Sequence, residues 1–221
     1  MRSAGDEPII LARDFTTLPA ADAVVHLAGA PIAVRWTAAR KRAMIDSRVL
    51  GARHLAAAME RTSPQPRVLV SASAIGAYGD RGDELLTEES ALGGDFLATL
   101  VRDWEAAAAE ARGVRVVQLR FGIVLSRRGG ALAKMLPPFR LGIGGRLGSG
   151  EQWMSWIALD DLVRAIRFAI ESSALSGAVN AVAPNAVTNA EFTRTLARVL
   201  HRPAVFPVPA FVLRTIFGEM A

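Results

Sequence analysis

The sequence predicts an α/β protein built on an open, doubly wound parallel sheet. Three observations lead there: the strand candidates are continuous apolar runs, they alternate with segments of helical period, and glycine or proline punctuates the junctions. Continuous apolar runs belong to strands covered on both faces, and strands separated by helices of this length imply right-handed crossovers. The first strand is Ala23-Val24-Val25-His26-Leu27-Ala28-Gly29. Thr37 then caps a helix whose buried face is set by Ile45, Val49, Ala52, Ala56 and Met59. The breaker Ser63-Pro64-Gln65-Pro66 leads into a second strand, Arg67 to Ser71. A second long helix follows from Phe96, Leu100, Trp104 and Ala108, and Gly113 stops it. Val114 to Phe121 makes the third strand.

Beyond Gly129 the pattern loosens. Residues 142–150 are glycine-rich and fit neither period, which reads as a loop at the mouth of a crevice. Asp160 and Asp161 open a helix as N-cap and first-turn acids, with Leu162, Ile166 and Ile170 on its apolar face. Ala178 to Val182 is a short strand, and Thr188 with Glu191 forms a capping box for a helix through Leu200. Pro203 to Ala221 pairs a proline-punctuated strand with a helix from Pro209.

Composition narrows the function classes. The chain has 221 residues, of which 51% are hydrophobic and 21% charged, an ordinary globular balance. The longest uncharged segment, Ser172 to Ala190, is broken by Gly177 and Pro184, so no membrane span is expected. The opening residues lack an apolar leader, which makes a cytoplasmic location the expectation. With no cysteine there is neither a disulfide framework nor a thiolate metal site, and three scattered histidines make no metal site. The net charge of +5 and the 6% aromatic content do not select nucleic acid; they suit a phosphate-bearing small molecule equally well. No G-x-S-x-G elbow supports a serine hydrolase. Gly76, Gly79 and Gly82 have a glycine-rich spacing, but acids follow at Asp83, Glu84, Glu88 and Glu89, so this reads as a loop lid and not a phosphate cradle.

The runs Val-Val-His-Leu-Ala-Gly-Ala-Pro from Val24, Val-Ser-Ala-Ser-Ala-Ile-Gly-Ala-Tyr-Gly-Asp from Val70 and Trp-Ile-Ala-Leu-Asp-Asp-Leu from Trp156 carry a resemblance. They resemble the extended short-chain dehydrogenase/reductases, the NAD(P)-dependent epimerase/dehydratase superfamily. Arg35-Trp36-Thr37, Ser47-Arg48-Val49, Arg102 to Ala106 and Gln152 to Ile157 are similar to a subgroup of nucleoside-diphosphate-sugar epimerases, and the likeness runs over nearly the whole chain. It implies a Rossmann-like sheet that lacks its first βαβ unit, in a chain shorter than its relatives at both ends. Residues 1–130 would form an incomplete dinucleotide-binding domain. Residues 131–221 would form a small substrate-side α/β region, with some segments returning to the sheet.

The resemblance also implies roles. Asp14 and Phe15 match the pair that meets the adenine, although Asp14 also reads as a turn residue. Leu27, Ala28 and Gly29 match the strand end that lines the adenosine ribose and phosphate; Ser71 counts among the cofactor-facing residues. Phe121 and Gly122 fall where the backbone passes the nicotinamide. Ser73 takes the place of the catalytic serine, the other reading being a small strand-end residue. The family's Tyr-x-x-x-Lys pair, in which the lysine lowers the tyrosine's pKa, is absent: the helix reads Asp95 to Trp104 without either, and the only tyrosine is Tyr78. Tyr78 either lines the substrate pocket or substitutes as the acid. Arg146, Gln152, Trp153 and Ser155 belong to the substrate side, where the arginine could grip a phosphate and Trp153 could stack on a ring.

The expected function is that of an NAD(P)-dependent epimerase or oxidoreductase acting on a small molecule of nucleotide-sugar type, with a homodimer as the assembly. The cofactor is NADP or NAD in the full-length form; for residues 1–221 alone no saturable response to either is expected, because no glycine-rich turn is present to hold the pyrophosphate. The alternatives are a nucleotide-binding sensor without turnover and a truncated, non-functional fragment.

Overall fold

The computed structural model describes residues 18–221. In chain order its first elements are β1 (Ala23–His26), α1 (Ala38–Ile45), α2 (Gly51–Arg61), β2 (Val68–Ala74), α3 (Phe96–Ala109), β3 (Arg115–Phe121) and β4 (Ile123–Leu125). There follow α4 (Gly130–Arg140), β5 (Trp153–Met154), β6 (Trp156–Ala158), α5 (Leu159–Glu171), β7 (Gly177–Ala181), β8 (Val187–Thr188), α6 (Asn189–Leu200) and α7 (Ala210–Phe217).

The central sheet is parallel throughout, in the order β1-β2-β3-β7. β4 pairs with β6 and β5 with β8, as two small satellites. Alternation along the strands splits the core between two faces. Leu69 meets Met44, Leu55, Met59, Leu100 and Trp104 under α1 to α3, whereas Val68, Val70, Val117 and Leu119 meet Leu162 and Ala169 under α5. Each fully buried aliphatic side chain contributes about 1.5–3 kcal/mol to this packing. Arg115, at the start of β3, stitches α5 down: its guanidinium donates to the carbonyls of Ala169, Ile170 and Leu175 at 2.8–2.9 Å. Those carbonyls lie at or just past a helix C-terminus, where helical partners run out.

Thr37 caps α1, its side chain accepting from the Arg40 amide, and Thr188 accepts from the Glu191 amide at the start of α6. Other expectations need correction. β1 ends at His26, and Leu27 is 57% exposed instead of continuing the strand. Gly113 does not terminate α3 directly; the helix ends at Ala109 and the glycine, at φ +71°, turns the chain into β3. Asp160 and Asp161 both lie in the first turn of α5, and the N-cap is Ala158.

The first helical region is one run broken by a π-helical turn over Asp46–Leu50. An ordinary period would bury Ile45 with Val49, yet Ile45 is 37% exposed and Met44 fully buried. Met44 and Val49 stand five residues apart, the spacing of the wider turn, which is why the reading by 3.6 failed at this point.

Candidate functional site

Parallel register sets three polar residues in one row near the carboxyl edge of the sheet: Ser73 lies beside Arg120, and Arg120 beside Asn180. One row below are His26, Ser71 and Gln118. Ser73 and Arg120 of the first row and Gln118 of the second bind Glu105 of α3, so each row reaches that helix. The Ser73 hydroxyl donates to Glu105 Oε1 at 2.5 Å. Arg120 grips the same carboxylate bidentately, Nε to Oε1 and Nη2 to Oε2, each at 2.8 Å. Gln118 Nε2 donates to the Glu105 carbonyl at 2.6 Å. The third arm of the Arg120 fork donates to the Tyr78 hydroxyl at 2.9 Å, and that hydroxyl donates onward to Asn180 Oδ1 at 2.7 Å. The Asn180 backbone N–H donates to Glu88 Oε1 at 2.7 Å, which ties the acidic loop before α3 to β7.

This network is almost dry. The side chains of Arg120 and Glu105 are 5% and 11% exposed, and Ser73 and Tyr78 are buried. A charge pair so deep holds together only when its remaining hydrogen bonds are also made. Here they are, and the bonds to Glu105 in the first place, then the one to Tyr78, hold the Arg120 guanidinium still more firmly protonated than usual, against the opposing effect of burial.

A second charged group lies beneath the segment that follows β1. Arg48, on the π-helical turn, is 8% exposed and packs over the Trp104 ring at 5.3 Å. Its Nη1 donates to the Ala30 carbonyl at 3.0 Å, but no carboxylate pairs with it among the described residues. Arg48 Nε and Trp104 Nε1 are buried without a hydrogen-bond partner there. Burial alone lowers the pKa of Arg48. The guanidinium occupies the space a side chain at Gly29 would need: a Cβ there would stand 2.8 Å from its Cζ. Beside them His26 stacks edge-on against Trp104 at 6.4 Å, and burial, then the Arg48 charge, hold its pKa below the ordinary 6.5.

Ser73 and Tyr78 are thus brought together, through Glu105 and Arg120. Leu27, Ala28 and Gly29 form an exposed segment over Arg48. Ser71 is 1% exposed and has no open surface. Phe121 packs between the two halves of the core, and Gly122 is buried where the chain crosses from the main sheet into β4; a Cβ there would stand 2.8 Å from the Ser155 carbonyl oxygen. That close approach accounts for a glycine at this position. Ser155 accepts from the Ile123 amide at 2.8 Å. Gln152 donates to the Leu147 carbonyl at 3.0 Å, and the half-exposed Trp153 donates to Asp83 at 2.6 Å. Arg146, next to the Leu147 carbonyl that Gln152 binds, lines a cavity with Ala190, Thr193 and Arg194. Asp14 and Phe15 fall outside the described residues.

Glu105, Arg120, Asn180 and Arg48 had no role assigned from sequence. A signal existed for two of them: Arg120 interrupts a strand covered on both faces, and Arg48 sits next to Val49 on a buried helix face.

Comparison with known proteins decides the family. The family model for the NAD dependent epimerase/dehydratase family matches residues 10–182. The chain belongs to that family. An epimerase family protein of Mycobacterium tuberculosis is 46% identical over 203 residues, covering 90% of this chain and 67% of the relative. A chloroplastic epimerase family protein of Arabidopsis thaliana is 43% identical over 202 residues and is covered to 58%. Among solved structures, a human epimerase family protein crystallised with NADPH superposes with a TM-score of 0.89 at 37% identity, over 93% of this chain and 71% of that one. A nucleoside-diphosphate sugar epimerase from Corynebacterium glutamicum gives 0.71 at 42% identity, over 91% of this chain and 44% of that one. Within this family fold the row Ser73, Arg120, Asn180 stands at the carboxyl edge, the side where open α/β sheets receive ligands. No helix of the described residues is long and apolar enough to cross a membrane.

Proposed function

We propose that this chain carries the ribose and nicotinamide side of a dinucleotide-dependent epimerase or oxidoreductase site, along the carboxyl ends of β1, β2 and β3. The observation that carries the reading is Arg48: a buried cation that pairs with no acid among the described residues and whose Nε finds no hydrogen-bond partner there, lying against the side-chain-free backbone of Gly29. Such a group is stabilised by an anion arriving from outside. The described residues fit part of a nicotinamide dinucleotide. Leu27 to Gly29 with Arg48 suit a ribose and a phosphate, and Phe121 with Gly122 would stand beside the nicotinamide. No strand, glycine-rich turn and helix in succession at the β1 edge offers a cradle for the pyrophosphate among the described residues.

When bound, the cofactor supplies hydride transfer. The chain's own part is to hold protons and exclude water. Glu105 fixes the Ser73 hydroxyl, while Arg120 and Asn180 fix that of Tyr78, so both face the reaction from a closed polar network. On the substrate side stand Arg146, Gln152, Trp153 and Ser155, and the likeness to a nucleoside-diphosphate sugar epimerase supports a nucleotide-sugar as substrate class. A second reading, nucleotide binding without turnover, is favoured by the same network: Ser73 and Tyr78 are buried, and α3 offers neither tyrosine nor lysine.

Saturation-transfer NMR with NADP tests the shared premise. Weak binding in the millimolar range is expected, lost in Arg48→Met. Equal signal in wild type and variant, or a micromolar fit for the chain alone, would refute it. Turnover of a nucleotide-sugar with NADP then separates the two readings.

A further inference from the structure

The acidic segment between β2 and α3 closes on itself. Its neck is Gly79 against Gly93: a Cβ on Gly93 would stand 2.8 Å from the Tyr78 carbonyl oxygen and 3.0 Å from Gly79 Cα, and the Gly93 backbone N–H donates to the Ala77 carbonyl at 2.9 Å. Residues 79–93 therefore form an Ω-loop, with its two ends in contact and its body standing away from them. The body holds its own shape. Arg81 pairs with Glu84 at 2.7 Å and donates to the Ala91 carbonyl at 3.1 Å, and the Thr87 backbone N–H donates to Ser90 Oγ at 2.9 Å.

Two hydrogen bonds pin this body to two different sheets. Trp153, on β5, donates its indole N–H to Asp83 Oδ1 at 2.6 Å, and the Asn180 backbone N–H, on β7, donates to Glu88 Oε1 at 2.7 Å. Both bonds are exposed to water, and Leu85 at the tip is 89% exposed, so apolar packing does not hold the tip down. A segment fixed by a few solvent-exposed polar bonds opens at a far lower free energy than the core beside it. Tyr78 is enclosed between this loop and the sheet. Its carbonyl lies against Gly93 of the neck, and its hydroxyl donates to Oδ1 of the same Asn180 whose backbone holds Glu88. Its ring lies 5.0 Å from the Arg120 guanidinium, and the residue is 3% exposed.

We propose that residues 79–93 are a strap, latched shut by the Asp83–Trp153 bond, that swings out on its glycine neck before any ligand reaches the Tyr78 hydroxyl. The latch is autoinhibitory: with Tyr78 buried in the latched form, no substrate oxygen meets that hydroxyl until the bond to Trp153 breaks. The meaning of the strap rests on reading Tyr78 as part of the reacting side of the site. Its existence does not, because access to one ring can be measured with neither cofactor nor substrate.

Tyr78 is the only tyrosine and the chain has no cysteine, so nitration by tetranitromethane, read from the mass of the peptide carrying Tyr78, times the opening of this one site. The full chain is compared with Asp83→Ala, with Trp153→Phe, which keeps a ring but loses the N–H, and with the double variant. Glu89→Ala serves as control, since it removes a charge from the exposed face of the same loop without touching the latch. Each latch variant is nitrated about threefold to tenfold faster than wild type, as for the loss of one exposed charge-assisted bond. The double variant is no faster than the singles, because both remove the same bond, and Glu89→Ala matches wild type. Unchanged rates in both single variants overturn the proposal, as do accelerations that multiply in the double variant or are equalled by Glu89→Ala. Urea midpoints stay at the wild-type value; faster nitration with a matching fall in midpoint reports global unfolding and also overturns it. Loss of the NADP signal would sink the cofactor reading and leave these rates as they stand.

Discussion

Replacing Glu105 with leucine leaves Arg120 as a cation 5% exposed with only the Tyr78 hydroxyl for company, and removes the acceptor of Ser73. Two charge-assisted bonds of 2.8 Å vanish at once. Breaking one side of a buried pair costs about 3–5 kcal/mol, mainly because the surviving charge remains buried without compensation. For a domain of this size that lowers the melting temperature by roughly 6–20 °C. Arg120→Met alone costs a similar amount, since it strands the Glu105 carboxylate. The double variant Glu105→Leu/Arg120→Met removes both charges and regains most of the loss, so the coupling between the sites is expected to reach about 3 kcal/mol. Urea unfolding followed by circular dichroism on the four proteins measures it. Single variants within about 1 kcal/mol of wild type, or losses that simply add, would refute the reasoning.

Arg115→Met removes three bonds to the end of α5 and should cost about 2–3 kcal/mol, with faster hydrogen exchange confined to residues 169–175; uniform acceleration across the sheet would contradict this. Gly122→Ala forces a Cβ against the Ser155 backbone at 2.8 Å and is expected to destabilise by about 1–3 kcal/mol in the same urea assay. His26 titrates below its ordinary 6.5 in the folded state because of burial first and the Arg48 charge second, so the unfolded chain binds the proton more readily. Stability is therefore full above that value and declines as the pH falls through it. His26→Gln should flatten the difference in urea midpoint between about pH 7.5 and about pH 5.5, and identical slopes in the two proteins would show that other groups are responsible.

The parallel sheet was legible because each strand is an apolar run bounded by breakers, and the helices because their buried positions recur by three and four. What escaped had local causes. α4 was missed, since Gly129-Gly130 at its start and Pro137-Pro138 inside it both read as punctuation. β4, β5, β6 and β8 are two or three residues long, too short for any period to show. The Glu105 network escaped for another reason: Ser73, Glu105, Arg120 and Asn180 lie far apart in sequence, and only strand register and the placement of α3 over it bring them together. Single residues such as Ser73 and Tyr78 could be picked out beforehand; the partners that fix their hydroxyls could not.

The wide turn at Asp46–Leu50 makes residue number as constraining as residue identity there. A chain one residue shorter would close to regular winding, and everything beyond would swing by about 100° around the axis. Leu55 and Met59 would leave the core, or Met44 would, and the Arg48 head would move off the indole beneath it. Substitutions along this stretch can be graded by size and polarity. Loss of one residue is all or nothing, because the extra peptide unit is what lets two helical segments of different phase press against the same sheet.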